Sequence, residues 1–147
     1  MSMTVKADFT QVDKLMTTIL NGLKNMSKPF NEMGNQLIKF FGDENFQAQG
    51  GKLGTQWSPL AVSTLQARAR RYGHYKNNPK STNQILVWTG ALQKGFKKSV
   101  ESTRLTIDNN VSYFDHNIQT RAMLGINSNV IKIIEDVTSD YLDTLTK

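Results

Sequence analysis

A chain of 147 residues, with 18 Lys and Arg against 12 Asp and Glu and a net charge of +6, has the length of one domain with a substantial core. It contains no cysteine, which excludes disulfides, thiolate zinc sites and cysteine nucleophiles, and its start, MSMTVKADF, lacks the apolar stretch of a signal peptide, so folding in a cytoplasm is expected. The longest purely apolar run is Ile85 to Trp88, far short of the roughly 20 residues of a membrane span, and an integral membrane protein is not expected.

Val12, Met16, Ile19, Leu23, Met26, Phe30, Met33, Leu37 and Phe40 alternate spacings of four and three, the a/d stripe of one long helix or two collinear ones. Thr10 with Asp13 supplies a start, and Gly42 stands where a left-handed C-terminal cap would be. Pro29 predicts a kink or break near Asn25 to Pro29, and the stripe's unbroken phase favours a kink. A helix of roughly 30 residues is about 45 Å long, more than so small a domain requires. Part of its stripe is then available to a neighbour; the alternatives are that all of it packs within its own chain, or that it forms a two-stranded coiled coil.

Next comes ENFQAQGGKLGTQWSPLAVSTL, residues 44 to 65. Its glycines raise the question of a phosphate cradle, but Lys52 is followed by Leu53 and Gly54 by Thr55, so the Lys-Ser/Thr pair of a Walker A loop is missing. The stretch reads instead as a turn that delivers the chain into a helix, with Trp57 as a core anchor, Ser58 as N-cap and Pro59 at the first helical position. That helix should run to about Tyr72 and stop at Gly73. Leu60, Leu65, Ala69 and Tyr72 can face inward, which leaves Arg68 and Arg71 near the boundary and Arg70 outward. Gly73 to Gln84 is polar and rich in turn formers, and reads as an exposed basic loop.

After Trp88 a short helix is expected with Thr89 as its cap. Phe96 to Ser102 and Arg104 to Asp108 alternate apolar with polar residues around a tight turn at Ser102-Thr103, the pattern of a β-hairpin. VSYFDHNIQ fits a strand or one helical turn. Ser128 can cap a C-terminal helix whose inner face is Val130 or Ile131, then Ile134, Val137, Tyr141 and Leu145. The order is α+β: a long N-terminal helix, a second helix after Ser58-Pro59, a small antiparallel sheet around 96–108 and a C-terminal helix, all in one domain.

No catalytic constellation, cofactor motif or metal-ligand spacing emerges. His74 and His116 are far apart, and adjacency of Tyr113, Asp115 and His116 along the chain does not make a triad. Charge is more informative: no acidic residue lies between Glu44 and Glu101, while from Leu105 onward acidic residues outnumber basic ones. Such asymmetry suits nucleic acid nearby, head-to-tail contacts between copies, or a merely solvated basic face. Arg68, Arg70, Arg71, Lys76 and Lys80, with Tyr72, His74 and Tyr75 between them, are the candidate DNA or inter-subunit contacts; non-sequence-specific phosphate binding is the most that they could provide.

Three segments in order, NFQAQGGKLGTQWSPLAVSTL, ILVWTGALQKGFKKSV and RLTIDNNVSYFDHNIQTRAMLGI, resemble the virion morphogenesis or tail completion proteins of tailed bacteriophages, a group that includes neck proteins joining tail to head. The matching positions are Phe46, Gly54, Trp57, Pro59, Leu60 and Thr64; Leu86, Thr89, Gly90 and Leu92; and Val111, Tyr113, His116, Arg121, Leu124 and Gly125. Family members usually carry a glycine and a proline between the last histidine and arginine, where this chain has only NIQT. The resemblance implies a non-enzymatic virion protein without cofactor, assembled in the host bacterial cytoplasm. It further implies a homo-oligomeric ring, hexameric or dodecameric, that meets connector or neck and tail tube or terminator proteins, with genomic DNA free to pass its lumen.

Overall fold

The structure, a computed structural model, describes residues 10–71, 84–87 and 89–147. Its elements are α1 (Thr10–Lys24), α2 (Ser27–Lys39), a π turn (Phe40–Glu44), α3 (Asn45–Gln47), a 3-10 turn (Gly51–Leu53), α4 (Val62–Arg71), α5 (Ala91–Lys94), β1 (Phe96–Val100), β2 (Leu105–Asn109), α6 (Phe114–Ile118) and α7 (Ser128–Thr146). The fold is α+β, and β1 pairs antiparallel with β2, Phe96 opposite Asn109 and Val100 opposite Leu105. The turn between them closes with the Glu101 amide donating to the Arg104 carbonyl at 2.8 Å. VSYFDHNIQ is helical, as α6.

The expected long N-terminal helix is broken rather than kinked. Asn25 and Met26 leave the helix, and the Met26 amide donates to the Ser102 carbonyl in the hairpin turn at 2.8 Å. Asn25 Oδ1 accepts from the Ser27 amide at 3.1 Å, so a side chain serves one of the orphan donors at the start of α2. Pro29 falls in the first turn of α2, where its missing amide hydrogen would have had no intrahelical acceptor. Asn25 and the hairpin turn therefore make the break, and proline only tolerates it.

Gly42 is not a left-handed cap either. The helix continues through the π turn into α3, and a Cβ at Gly42 would stand 2.7 Å from the backbone oxygen of Gln93. The wide turn buries consecutive aromatic residues, Phe40 and Phe41, at 3% exposure each. Their rings meet edge to face at 5.4 Å, Phe41 stacks on Phe96 at 6.1 Å, and Phe96 touches Phe46 at 6.3 Å and Phe114 at 5.9 Å, both edge to face. Each such pair contributes about 0.5–1.5 kcal/mol beyond its buried area. Around this aromatic centre α2 packs against α7 and against both hairpin strands.

The apolar stripe is divided by the break. From Met26 onward it is half-buried or buried, with Met33, Leu37 and Phe40 in the core. In α1 no residue is buried: Val12, Leu15, Met16, Leu20 and Leu23 are all exposed. Near its C-terminal end Tyr141 Oη donates to the Gly22 carbonyl at 3.1 Å and Leu145 lies against Gly22.

Helix α4 starts at Val62, four residues after the expected cap at Ser58, and Ser58 and Pro59 are exposed and outside any helix or strand. Trp57 causes the delay, because its amide and indole are both hydrogen-bonded to other segments and hold the chain extended as it leaves the core. Leu65 and Arg68 are half-buried on α4, while Ala69, expected inward, is exposed with Arg70. For α5 the cap position is the left-handed Gly90 (φ 75°), yet the Thr89 hydroxyl does accept from the Ala91 amide at 3.3 Å. The N-cap of α7 is Asn127, whose Oδ1 accepts from the Val130 amide at 3.1 Å, and Ser128 is the first helical residue. Val130 rather than Ile131 opens the inner face, followed by Ile134 and Val137.

Candidate functional site

Of the three segments singled out in the sequence, the first and third meet at the Ala122 carbonyl, and the second joins the first through Gln49. Ala122 O accepts from Trp57 Nε1 at 3.0 Å and from Asn45 Nδ2 at 3.2 Å. Asn45 is fully buried, and its Oδ1 also accepts from the Leu53 amide at 3.3 Å, which ties the glycine turn to the core. Gln49 extends the knot: its carbonyl accepts from the Trp57 amide at 2.8 Å, and its Oε1 accepts from the Ile85 amide at 2.6 Å. Residues 45–57, Ile85 and Ala122 are thereby held together by hydrogen bonds that each engage a backbone group. Buried polar groups satisfied in this way fix one arrangement of the segments, because any other would leave a donor or acceptor unpaired.

The glycine turn uses its polar groups internally. The amide of Gly50 donates to Asn45 O at 2.9 Å, that of Gly51 to Ala48 O at 3.0 Å and that of Gly54 to Gly51 O at 3.1 Å. The Lys52 carbonyl accepts from Asn127 Nδ2 at 2.7 Å and Asn129 Nδ2 at 3.0 Å, which docks the turn on the start of α7. Gly50 (φ 89°) has a left-handed backbone, and a Cβ there would strike Trp57 and the Thr55 carbonyl. Gly54 is also left-handed, at φ 93°, and exposed. The turn is an entry into the core at Trp57.

The remaining motif residues fall into two groups. Phe46, Trp57, Gly90 and Leu92 are buried, and Leu86 and Leu124 are half-buried against the same core. Phe46 meets Trp57 edge to face at 5.0 Å. By contrast Gly54, Pro59, Thr89, Tyr113, His116 and Gly125 are exposed. No side-chain hydrogen bond joins Tyr113, Asp115 and His116 among the described residues. Arg121 is half-buried, with its Nε out of contact with water and without a hydrogen-bond partner among the described residues; Nη1 reaches Thr120 Oγ1 at 3.4 Å.

The basic residues are not equivalent. Arg68 Nη1 donates to the Gln84 carbonyl at 2.7 Å, and burial pushes its pKa below the usual arginine value. It ties α4 to the chain at Gln84. Lys98 Nζ is taken by Asn31 O at 2.8 Å and Asn35 Oδ1 at 2.7 Å, which fastens β1 to α2. Arg70, Lys94 and Lys97 are exposed. The Arg71 side chain and residues 72–83, which include Tyr72, His74, Tyr75, Lys76, Lys80 and most of the expected basic loop, lie outside the described residues.

Sequence reasoning missed Asn45, Gln49 and Asn109. The last is buried opposite Phe96, donates to Leu92 O at 2.7 Å and accepts from the Val111 amide at 3.1 Å. The chain also carries an apolar groove of about 580 Å³ between α2, the hairpin and the start of α7. Met33, Leu37, Phe41 and Val130 belong to its buried floor, and Ile126, 82% exposed, and Arg104 stand at its rim. No helix among the described residues is long and apolar enough to cross a membrane. Comparison with protein-family models, curated proteins and solved structures finds no match.

Proposed function

We propose that this chain is a structural virion protein of a tailed bacteriophage, a neck or tail completion component that forms a ring at the head–tail junction and joins or stabilises the tail. What supports the reading best is that the three segments are bonded in series: Asn45 and Trp57 of the first hold the Ala122 carbonyl of the third, and Gln49 of the first holds the Ile85 amide of the second. Segments that resemble a family in order and are also bonded to one another are a coherent unit. A ring subunit touches its neighbours through two different surfaces, which suits a chain with an acid-free middle and an acidic C-terminal part. Its partners would be other copies of itself, the connector or neck proteins, and the tail tube or terminator proteins. Purified virions test this: the protein should be found by mass spectrometry and imaged at the junction, and its absence from assembled particles would overturn the proposal.

A second reading, a basic module that binds nucleic acid without sequence preference, draws on the exposed Arg70, Lys94 and Lys97. It requires affinity for duplex DNA that falls steeply with salt. No binding at low salt removes it.

A further inference from the structure

We propose that the exposed apolar face of α1 docks into the groove between α2, the hairpin and α7 of a second copy of this chain. The inference deepens the ring reading and rests on it for its biological setting, while its physical case stands on two features of one chain. Val12, Met16, Leu20 and Leu23 lie on one side of α1, with Leu15 and Ile19 at its edge, an i, i+4, i+8, i+11 row of the kind that enters an apolar groove. All four of the row are about half exposed, and among the described residues none is buried by the chain's own core. A contiguous apolar helix face of this size marks an interaction surface in a water-exposed protein.

The groove is its complement. Its floor is apolar and its volume, about 580 Å³, accommodates several side chains rather than a whole helix, as docking of a knob row requires. No residue of α1 lines it. Only the C-terminal end of α1 comes near the groove, where Met26 bonds Ser102 beside Thr103 and Arg104; Gly22 is tied to Tyr141 and Leu145 near the end of α7, whereas the far part of the groove draws on Val130 and Ile134 near its start. Residues 130 and 145 of one helix are about 22 Å apart. One charge pair agrees with the pairing, beside the Lys14 and Lys24 that α1 also carries. Asp13 flanks Met16 and Leu20 on α1, and Arg104 stands on the groove rim.

A knob row and a groove at separate sites make a head-to-tail contact, in which each copy gives one surface and receives on the other. One helix face is smaller than the roughly 1,200–2,000 Å² buried in a stable interface, so a single contact is weak and closure of many copies is what would secure it. That geometry allows a ring without requiring a particular number of subunits.

Because the chain has no cysteine, introduced thiols report the contact cleanly. Copies carrying Leu20→Cys are mixed with copies carrying Ile126→Cys under mild oxidation, beside a control mixture in which Ile131→Cys, on the exposed side of α7, replaces Ile126→Cys. The expected result is a several-fold excess of the Leu20–Ile126 cross-linked pair over the control. A second pair of variants, Asp13→Arg and Arg104→Asp, should each reduce the yield when introduced alone and restore it when placed on opposite copies. Cross-linking no greater than the control, as would follow if the α1 face were covered within its own chain, overturns the proposal. Predominant pairing of Leu20→Cys copies with one another does so too, because it means that α1 faces α1. Virion composition is read separately, so loss of the neck assignment and loss of this contact are distinguishable.

Discussion

The indole nitrogen of Trp57 donates to the carbonyl of Ala122 at 3.0 Å, joining segments far apart in the sequence at the buried centre of the fold. The bond explains why the glycine turn ends where it does. With the Trp57 amide also bound to Gln49 O at 2.8 Å, the residue is fixed at both backbone and ring, and the following chain leaves the core extended.

Replacing this ring separates packing from hydrogen bonding. Trp57→Ala removes a fully packed aromatic side chain and should cost about 3–5 kcal/mol in urea unfolding. Trp57→Phe keeps most of the volume and loses the N–H donor, while Ala122 O keeps Asn45 as a partner. Its cost should be about 1–2 kcal/mol, the size of one buried hydrogen bond with a small gap. Equal losses for the two variants would mean that the bond, and not the ring, holds the turn.

Asn45 gives a second test of the same knot. Asn45→Ala takes away the donor to Ala122 O and the acceptor of the Leu53 amide, in a site with no exposure to water. The Leu53 amide keeps the Gly50 carbonyl at 3.0 Å and Ala122 O keeps Trp57 Nε1, so about 1–3 kcal/mol should be lost for the two hydrogen bonds themselves. Hydrogen exchange should locate the loss: the Leu53 amide should exchange faster in the variant, with the hairpin amides unchanged. If the hairpin loosens equally, the knot and the sheet form one cooperative unit.

Local rules were legible wherever a local rule governed. Alternation of apolar and polar residues around Ser102-Thr103 identified the hairpin, and the spacing of Ile134 and Val137 identified the inner face of α7. Trp57 was readable as a core anchor because a large aromatic beside glycines has few other uses. Where sequence reading failed, a distant partner had decided the outcome. The break after α1 depends on the Ser102 carbonyl taking the Met26 amide, and the late start of α4 depends on Ala122 holding Trp57. Neither partner is visible in the local pattern, and Ser58-Pro59 keeps every local mark of a helix start. Asn45 and Gln49 were missed for the same reason, since burial of a polar side chain is set by the groups that surround it after folding.

The π turn makes its own prediction. Gly42→Ala would push a Cβ to within 2.7 Å of the Gln93 backbone oxygen, which cannot rotate away. Overpacking of that kind costs about 1–3 kcal/mol. Gly34→Ala is the comparison: its Cβ would meet Lys98 Cδ at 2.6 Å and Leu105 Cδ1 at 3.2 Å, side-chain rather than backbone atoms, although moving Lys98 strains its bonds to Asn31 and Asn35. There the gain of about 1 kcal/mol from replacing glycine in a helix offsets the contact, and thermal unfolding should show little net change. A Gly42→Ala protein as stable as its parent would show that Gln93 and α5 yield to the added methyl group.

Arg68 and Arg70, two residues apart on α4, should respond differently to the same substitution. Arg68 bonds the Gln84 carbonyl and is partly desolvated, so Arg68→Ala should lower stability by about 1–2 kcal/mol. Arg70 is exposed, and Arg70→Ala should change stability by no more than about 0.5 kcal/mol. If duplex DNA is a ligand and Arg70 meets a phosphate, Arg70→Ala should also reduce the slope of log affinity against log salt by about 0.9, the contribution of one neutralised phosphate. Unfolding curves and a salt titration on the two variants thus assign each arginine to the fold or to a surface. A large loss of stability in Arg70→Ala would place that side chain in the fold and remove it from the candidate contacts with DNA.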